Sequence, residues 1–198
     1  MMKRIITVSR EFGSGGRSIG HMVAERLGYA FYDEELVNEV AKRSGFSPEF
    51  IKESGEYASS RHSLLFSLAT AQQFAADGLS MMDRLYIEQT KIIEELAAQG
   101  NCVIVGRCAD YILRDRKDAL HVFIHAEEES KARRIVERYG EKDKAPEKRL
   151  AEKDQRRKVY YKNYTGRTWG YSKNYDLCLD SGKLGLELCA DLIVQAAK

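Results

Sequence analysis

Five short apolar runs recur along the chain, and the stretches between them carry helical rather than alternating spacing. Ile5-Ile6-Thr7-Val8 is the first. Beyond a glycine-rich stretch, Ile19, Met22, Val23, Ala24 and Leu27 fall on one helical face, and Gly28 supplies a stop. Tyr29–Tyr32, Cys102–Val105, His121–Ile124 and Leu177–Leu179 are the other four runs. A strand that is apolar at every position, not every second one, has hydrophobic neighbours on both faces, as in a parallel sheet covered by helices. The pattern therefore predicts an α/β chain, a three-layer α/β/α arrangement on a five-stranded parallel sheet. Cys102 and Cys178 are expected inside it.

Two stretches fall outside this rhythm. Residues 44–83 are rich in Ser, Ala and Phe and lead into a long helix with Leu85, Ile92, Ile93 and Leu96 on one face. Residues 131–175 are strongly basic. No linker separates either from the rest, so residues 1–198 are expected to be a single domain with a helical insert at about 44–83 and a second insert at about 131–175. Met81 and Met82, which open the long helix, suit core positions or the contact surface of a homodimer.

Composition changes this picture little until charge is resolved along the chain. Lys and Arg number 32 against 30 Asp and Glu, a net +2. Between Lys131 and Lys173, however, 15 cations stand against 6 carboxylates, leaving 17 against 24 elsewhere. A local cationic segment on a near-neutral chain asks which anion it meets. No apolar run approaches the about 18 residues of a membrane span, and Ile5–Val8 is too short for a signal peptide core. The four cysteines have no C-x-x-C pair and no His at zinc-ligand spacing. Free thiols and a cytoplasmic location are expected.

The candidate chemistry begins at the end of the first strand. Glu11-Phe12-Gly13-Ser14-Gly15-Gly16-Arg17-Ser18 lies between a strand and a helix, where converging backbone N–H groups and the helix dipole favour a phosphate. Against the pattern G-x-x-x-x-G-K-[ST], Gly16, Arg17 and Ser18 align with its last three positions, Arg17 replacing the Lys and Glu11 the first Gly. Ser18 keeps the hydroxyl that ligates Mg²⁺ in such loops. A ligand-free glycine turn and a dinucleotide site are the alternatives, though no G-x-G-x-x-G frame fits.

Several pieces together resemble the cytidylate kinase-like family of P-loop nucleoside monophosphate kinases. Ser9-Arg10-Glu11-Phe12-Gly13-Ser14-Gly15-Gly16-Arg17 resembles its variant phosphate loop, and Phe31-Tyr32-Asp33 the end of its second strand. Gly106-Arg107-Cys108-Ala109-Asp110 is similar to its G-R-x-x-D motif, Asp154-Gln155-Arg156-Arg157 to its D-x-x-R lid element, and Leu179-Asp180-Ser181 to its closing strand. The resemblance implies a P-loop kinase fold with a helical acceptor insert and a basic lid. It also implies phosphoryl transfer from ATP with Mg²⁺ to a nucleoside monophosphate, CMP or dCMP. Gly13, Ser14, Gly15, Gly16, Arg17 and Ser18 would hold the donor phosphates, with Ser18 on the metal. Asp33, Arg107, Asp110 and Asp154 would bind the acceptor. Arg17, Arg157 and Arg133 (or its neighbour Arg134) would neutralise the transferred group.

Chemistry agrees with an arginine-based site. An acceptor phosphate is already an anionic nucleophile, so positioning and electrostatic stabilisation suffice and no strong general base is required. Other readings compete at single residues. Asp33 and Asp110 could cap the next helix or meet Mg²⁺, Glu11 could hold a lid arginine, and His121 and His125 suit structural roles. A kinase for another small acceptor, or a nucleotide sensor that has lost catalysis, would use the same loop. Tyr160, Tyr161, Tyr164 and Trp169 among the cations could form a stacking platform for nucleic acid, but aromatic residues more often fill a core, so nucleotides rather than nucleic acids are the expected partners.

Overall fold

The computed structural model describes residues 2–33, 39, 43, 45 and 80–198. Apart from residue 45 and residues 80–83, the expected 44–83 insert lies outside the described residues. The sequence from there alternates strand and helix: β1 (Ile5–Arg10), α1 (Gly16–Leu27), β2 (Ala30–Tyr32), α2 (Met81–Gln99), β3 (Cys102–Val105), α3 (Ala109–Ile112), β4 (Ala119–His125), α4 (Glu128–Tyr139), α5 (Pro146–Thr165), β5 (Leu177–Asp180) and α6 (Ser181–Ala197). The five strands form one sheet in the order β2-β3-β1-β4-β5. Every neighbouring pair is parallel, with Ile5 opposite both Cys102 and Ala119. Parallel pairs require crossovers, and the helical stretches between the apolar runs provide them.

Both faces of the sheet are covered, as the continuous apolar runs require. Ile6 and Val8 of β1 pack with Ile19 and Val23 of α1 and Ile193 of α6, while Ile5 on the opposite face meets Leu85, Ile92 and Ile93 of α2. Ser80 starts α2 with a reciprocal capping box: its hydroxyl accepts from the Asp83 N–H, and the Asp83 carboxylate accepts from the Ser80 N–H. Among the described residues no helix is long and apolar enough to cross a membrane.

One expectation changes at the sheet's far edge and another holds there. Cys178 is exposed, not buried, because β5 is an edge strand paired only with β4. Of the aromatic residues in the basic segment, Tyr160, Tyr161, Trp169 and Tyr175 form a third cluster with Phe123 of β4 and Cys108. Trp169 meets Phe123 edge-on at 5.3 Å. They fill a core rather than a stacking platform. His121 is structural, its Nδ1 2.8 Å from the Thr7 hydroxyl and its backbone N–H donated to Asp176.

Candidate functional site

The C-terminal end of β1, in the middle of the sheet, opens into a cleft walled by the loop after β1, α1, α4 and α5. In open parallel sheets ligands bind beyond the carboxyl ends of the strands, where crossovers diverge to opposite sides. Here the loop from Glu11 to Gly15 turns into α1. Gly13 and Gly15 take left-handed φ values of 80° and 79°. A side chain at Gly15 would put its Cβ 2.5 Å from Leu186, and one at Gly16 would put it 2.5 Å from the Arg10 Cβ. Glycine is therefore needed for space as well as for conformation.

The loop is held from several sides. Ser14 is fully buried and turns inward, its hydroxyl donating to the Glu11 carbonyl at 2.8 Å. Ser181, at the start of α6, donates its hydroxyl to the Ser14 carbonyl. The Glu11 carboxylate accepts from Lys131 at 2.8 Å and from the Ala126 N–H at 3.3 Å. Asp154 of α5 accepts from the Phe12 N–H at 2.7 Å and from Arg157 at 3.0 Å, while Arg157 also donates to the Arg10 carbonyl at 3.3 Å. Burial pushes the Asp154 carboxyl up, and the Arg157 charge and the Phe12 N–H oppose that shift. The D-x-x-R element thus reaches the phosphate loop itself.

Five arginines line the cleft: Arg10 from β1, Arg17 from α1, Arg134 and Arg138 from α4, and Arg157 from α5. Arg134 donates to the Gly13 carbonyl at 2.6 Å and Arg138 to the Ser18 hydroxyl at 2.8 Å. Burial, and then the neighbouring Arg133 charge, lower the Arg134 pKa. Arg133 is exposed and is not among the lining residues. Helical phase explains the difference, since residues 131, 134 and 138 share one face of α4 and residue 133 does not. Arg17 reaches out of the cleft and donates Nε–H to Asp33 at 2.5 Å, joining the phosphate loop to the end of β2.

The β3–α3 turn lies beside this cleft, one strand away. Arg107 is 3% exposed. Asp110 is equally buried; it accepts from the Ser9 hydroxyl at 3.1 Å and the Tyr161 hydroxyl at 2.6 Å. Burial raises its pKa, and those two hydrogen bonds oppose the rise. Asp110 thereby links β1, α3 and α5. Gln89 of α2, buried in an otherwise apolar stripe, donates to the Arg107 carbonyl at 3.1 Å and to the Tyr160 hydroxyl at 3.3 Å. Arg10, Arg138 and Gln89 are among the site residues that sequence reasoning missed. A polar residue four positions after Leu85 on the apolar face of α2 was the signal for Gln89.

The sequence profile of the cytidylate kinase-like family matches residues 5–183. The chain belongs to that family. Among curated proteins none matches it significantly. Its fold is that of the P-loop kinases. A crystal structure of an uncharacterized protein from Eubacterium ventriosum is 29% identical, covering 98% of this chain and 97% of its own, with a TM-score of 0.73. Shikimate kinase from Acinetobacter baumannii, solved in complex with shikimate, is 15% identical over 98% of this chain and 92% of its own, with a TM-score of 0.54. A gluconokinase from Sinorhizobium meliloti is 17% identical over 99% and 90%, with a TM-score of 0.50. At those identities the last two show a shared fold alone. Within the family fold, the cradle and its arginines suit the phosphates of a nucleotide. For Mg²⁺ the cleft offers the Ser18 hydroxyl, and among the described residues no group of three or more His, Cys, Asp or Glu could hold a metal. That donor set fits an ion carried mainly by phosphate oxygens and water, the usual manner of Mg²⁺.

Proposed function

We propose that this family member transfers the γ-phosphoryl group of ATP to a nucleoside monophosphate, CMP or dCMP. One observation carries the reading: five arginines from four elements converge on a glycine-built loop at the carboxyl end of β1. The glycines leave backbone N–H groups accessible to the donor's phosphates, and the amino end of α1 adds its dipole. Arg17, once it exchanges the Asp33 carboxylate for phosphate, neutralises charge on the transferred group. Arg134, Arg138 and Arg157 surround the same space. Mg²⁺ bound with the nucleotide, against the Ser18 hydroxyl, would draw charge from the β- and γ-phosphates.

On the acceptor side, Arg107 binds the monophosphate, whose oxygen attacks the γ-phosphorus as ADP leaves. The nucleophile is already ionised, and no base has to accept a proton. Asp33 and Asp110 bound the acceptor space. Asp154 acts through the Phe12 N–H and Arg157, to which it is bonded.

The test is transfer of label from γ-labelled ATP, with Mg²⁺, to CMP, dCMP, UMP, AMP and a set of small hydroxylated metabolites. Labelled CDP or dCDP is the expected product. Transfer only to a hydroxylated metabolite would reassign the acceptor, and no transfer to any compound would overturn the kinase reading.

A further inference from the structure

Gly106, Arg107 and Cys108 adopt left-handed φ values of 73°, 60° and 56° in succession, and only the first is glycine. Residues with side chains stay in this region only where their surroundings over-determine them. Backbone hydrogen bonds supply part of that constraint. The Gly106 N–H donates to the Val8 carbonyl at 3.0 Å, the Gly106 carbonyl accepts from Ala109 at 3.1 Å, and the Cys108 carbonyl accepts from Tyr111 and Ile112 at 2.9 Å. Between them, the Arg107 carbonyl takes a side-chain N–H, from Gln89 at 3.1 Å.

Gln89 is 2% exposed, and burying an amide in an apolar helix face is costly unless its N–H groups are used. Both are: one goes to Arg107, the other to the Tyr160 hydroxyl at 3.3 Å. Tyr160 lies on α5, whose earlier turns carry Asp154 and Arg157 to the phosphate loop. A single amide therefore bridges the turn that bears Arg107 and the helix that grips the donor loop.

We propose that Gln89 is a positioning residue for the acceptor site. By donating to the Arg107 carbonyl it fixes the left-handed turn that aims the guanidinium, and through Tyr160 it ties that turn to α5. The consequence for turnover rests on the acceptor role assigned above to Arg107; the consequence for the turn does not.

The test is Gln89→Met, which keeps the length and loses the donor. The ¹³C chemical shifts of Arg107 and Cys108 should move away from left-handed values, while those of Gly13 and Gly15 stay. The acceptor KM should rise on the order of ten- to a hundredfold, with the ATP KM within about twofold of wild type. Tyr160→Phe removes the second bond alone and should leave the Arg107 shifts in place. Unchanged Arg107 and Cys108 shifts in Gln89→Met overturn the positioning role, whatever the substrate proves to be. Displaced shifts with an unchanged acceptor KM support Gln89 as the anchor of the turn and overturn the acceptor role of Arg107 instead.

Discussion

The phosphate loop and the β3–α3 turn stand at the ends of adjacent parallel strands, and both run through left-handed backbone. They achieve it by opposite means. The loop uses Gly13 and Gly15, for which positive φ carries no steric penalty. Its cations reach it from separate elements, and Arg17 keeps nearly half of its side-chain surface exposed. The turn instead forces Arg107 and Cys108 into the left-handed region, at roughly 1–2 kcal/mol per residue. It encloses them with Asp110, Tyr161 and Gln89. One side is an electrostatic cradle in which Arg10 and Arg157 are buried while Arg17 and Arg138 stay at the surface, able to exchange partners. The other is a buried and rigid platform. A donor that must enter and leave suits the first, and an acceptor that must be held in line suits the second.

If that division is correct, substitutions on the two sides should fail differently. Arg17→Ala should lower kcat on the order of 10³-fold, the lower range for a cation that stabilises a phosphoryl-transfer transition state, with a modest fall in melting temperature. Its partner Asp33 is buried at the end of β2, so the variant leaves that carboxylate without the ion pair and some stability is lost with it. Steady-state kinetics and thermal melting in parallel would check this, and a kcat within tenfold of wild type would remove Arg17 from the transition state. Asp110→Ala should instead appear in denaturant melts, as a loss of about 2–4 kcal/mol from two buried hydroxyls left without their acceptor. The Tyr161 and Ser9 hydroxyls are those donors. A stable Asp110→Ala with reduced turnover would show that the turn is not a platform but part of the cradle.

Sequence reasoning reached the two sides unequally. The five apolar runs predict the parallel sheet because a strand buried on both faces must be apolar throughout, and Ile5–Val8 and Cys102–Val105 meet that condition. Cys178 breaks the expectation because an apolar run does not reveal whether its strand ends up at an edge. The glycine loop was legible since conformation and close approach both leave a mark in the residue type. Gln89 was not, because an amide in a helix gives no sign of which carbonyl it will meet. The basic segment was legible as charge but not as geometry. Tyr160, Tyr161, Trp169 and Tyr175 turn into the core around Phe123, whereas the segment's arginines divide according to helical phase.

That division supplies the finest test of the comparison. Arg133 and Arg134 are adjacent, identical in type and indistinguishable by composition, yet α4 directs Arg134 to the Gly13 carbonyl and leaves Arg133 exposed outside the cleft lining. If the cradle works through convergent cations, Arg134→Ala should reduce kcat/KM for ATP about ten- to a hundredfold, the value of one charge-assisted contact. Arg133→Ala should stay within about twofold, and only at low ionic strength, where an exposed charge still contributes to the field over the cleft. Measuring both at low and at high salt separates contact from field. The Arg134 loss should persist when salt is raised, and the small Arg133 effect should vanish. Equal losses in the two variants would mean that the segment acts through its summed charge, so that its helical phase has no part in binding the donor.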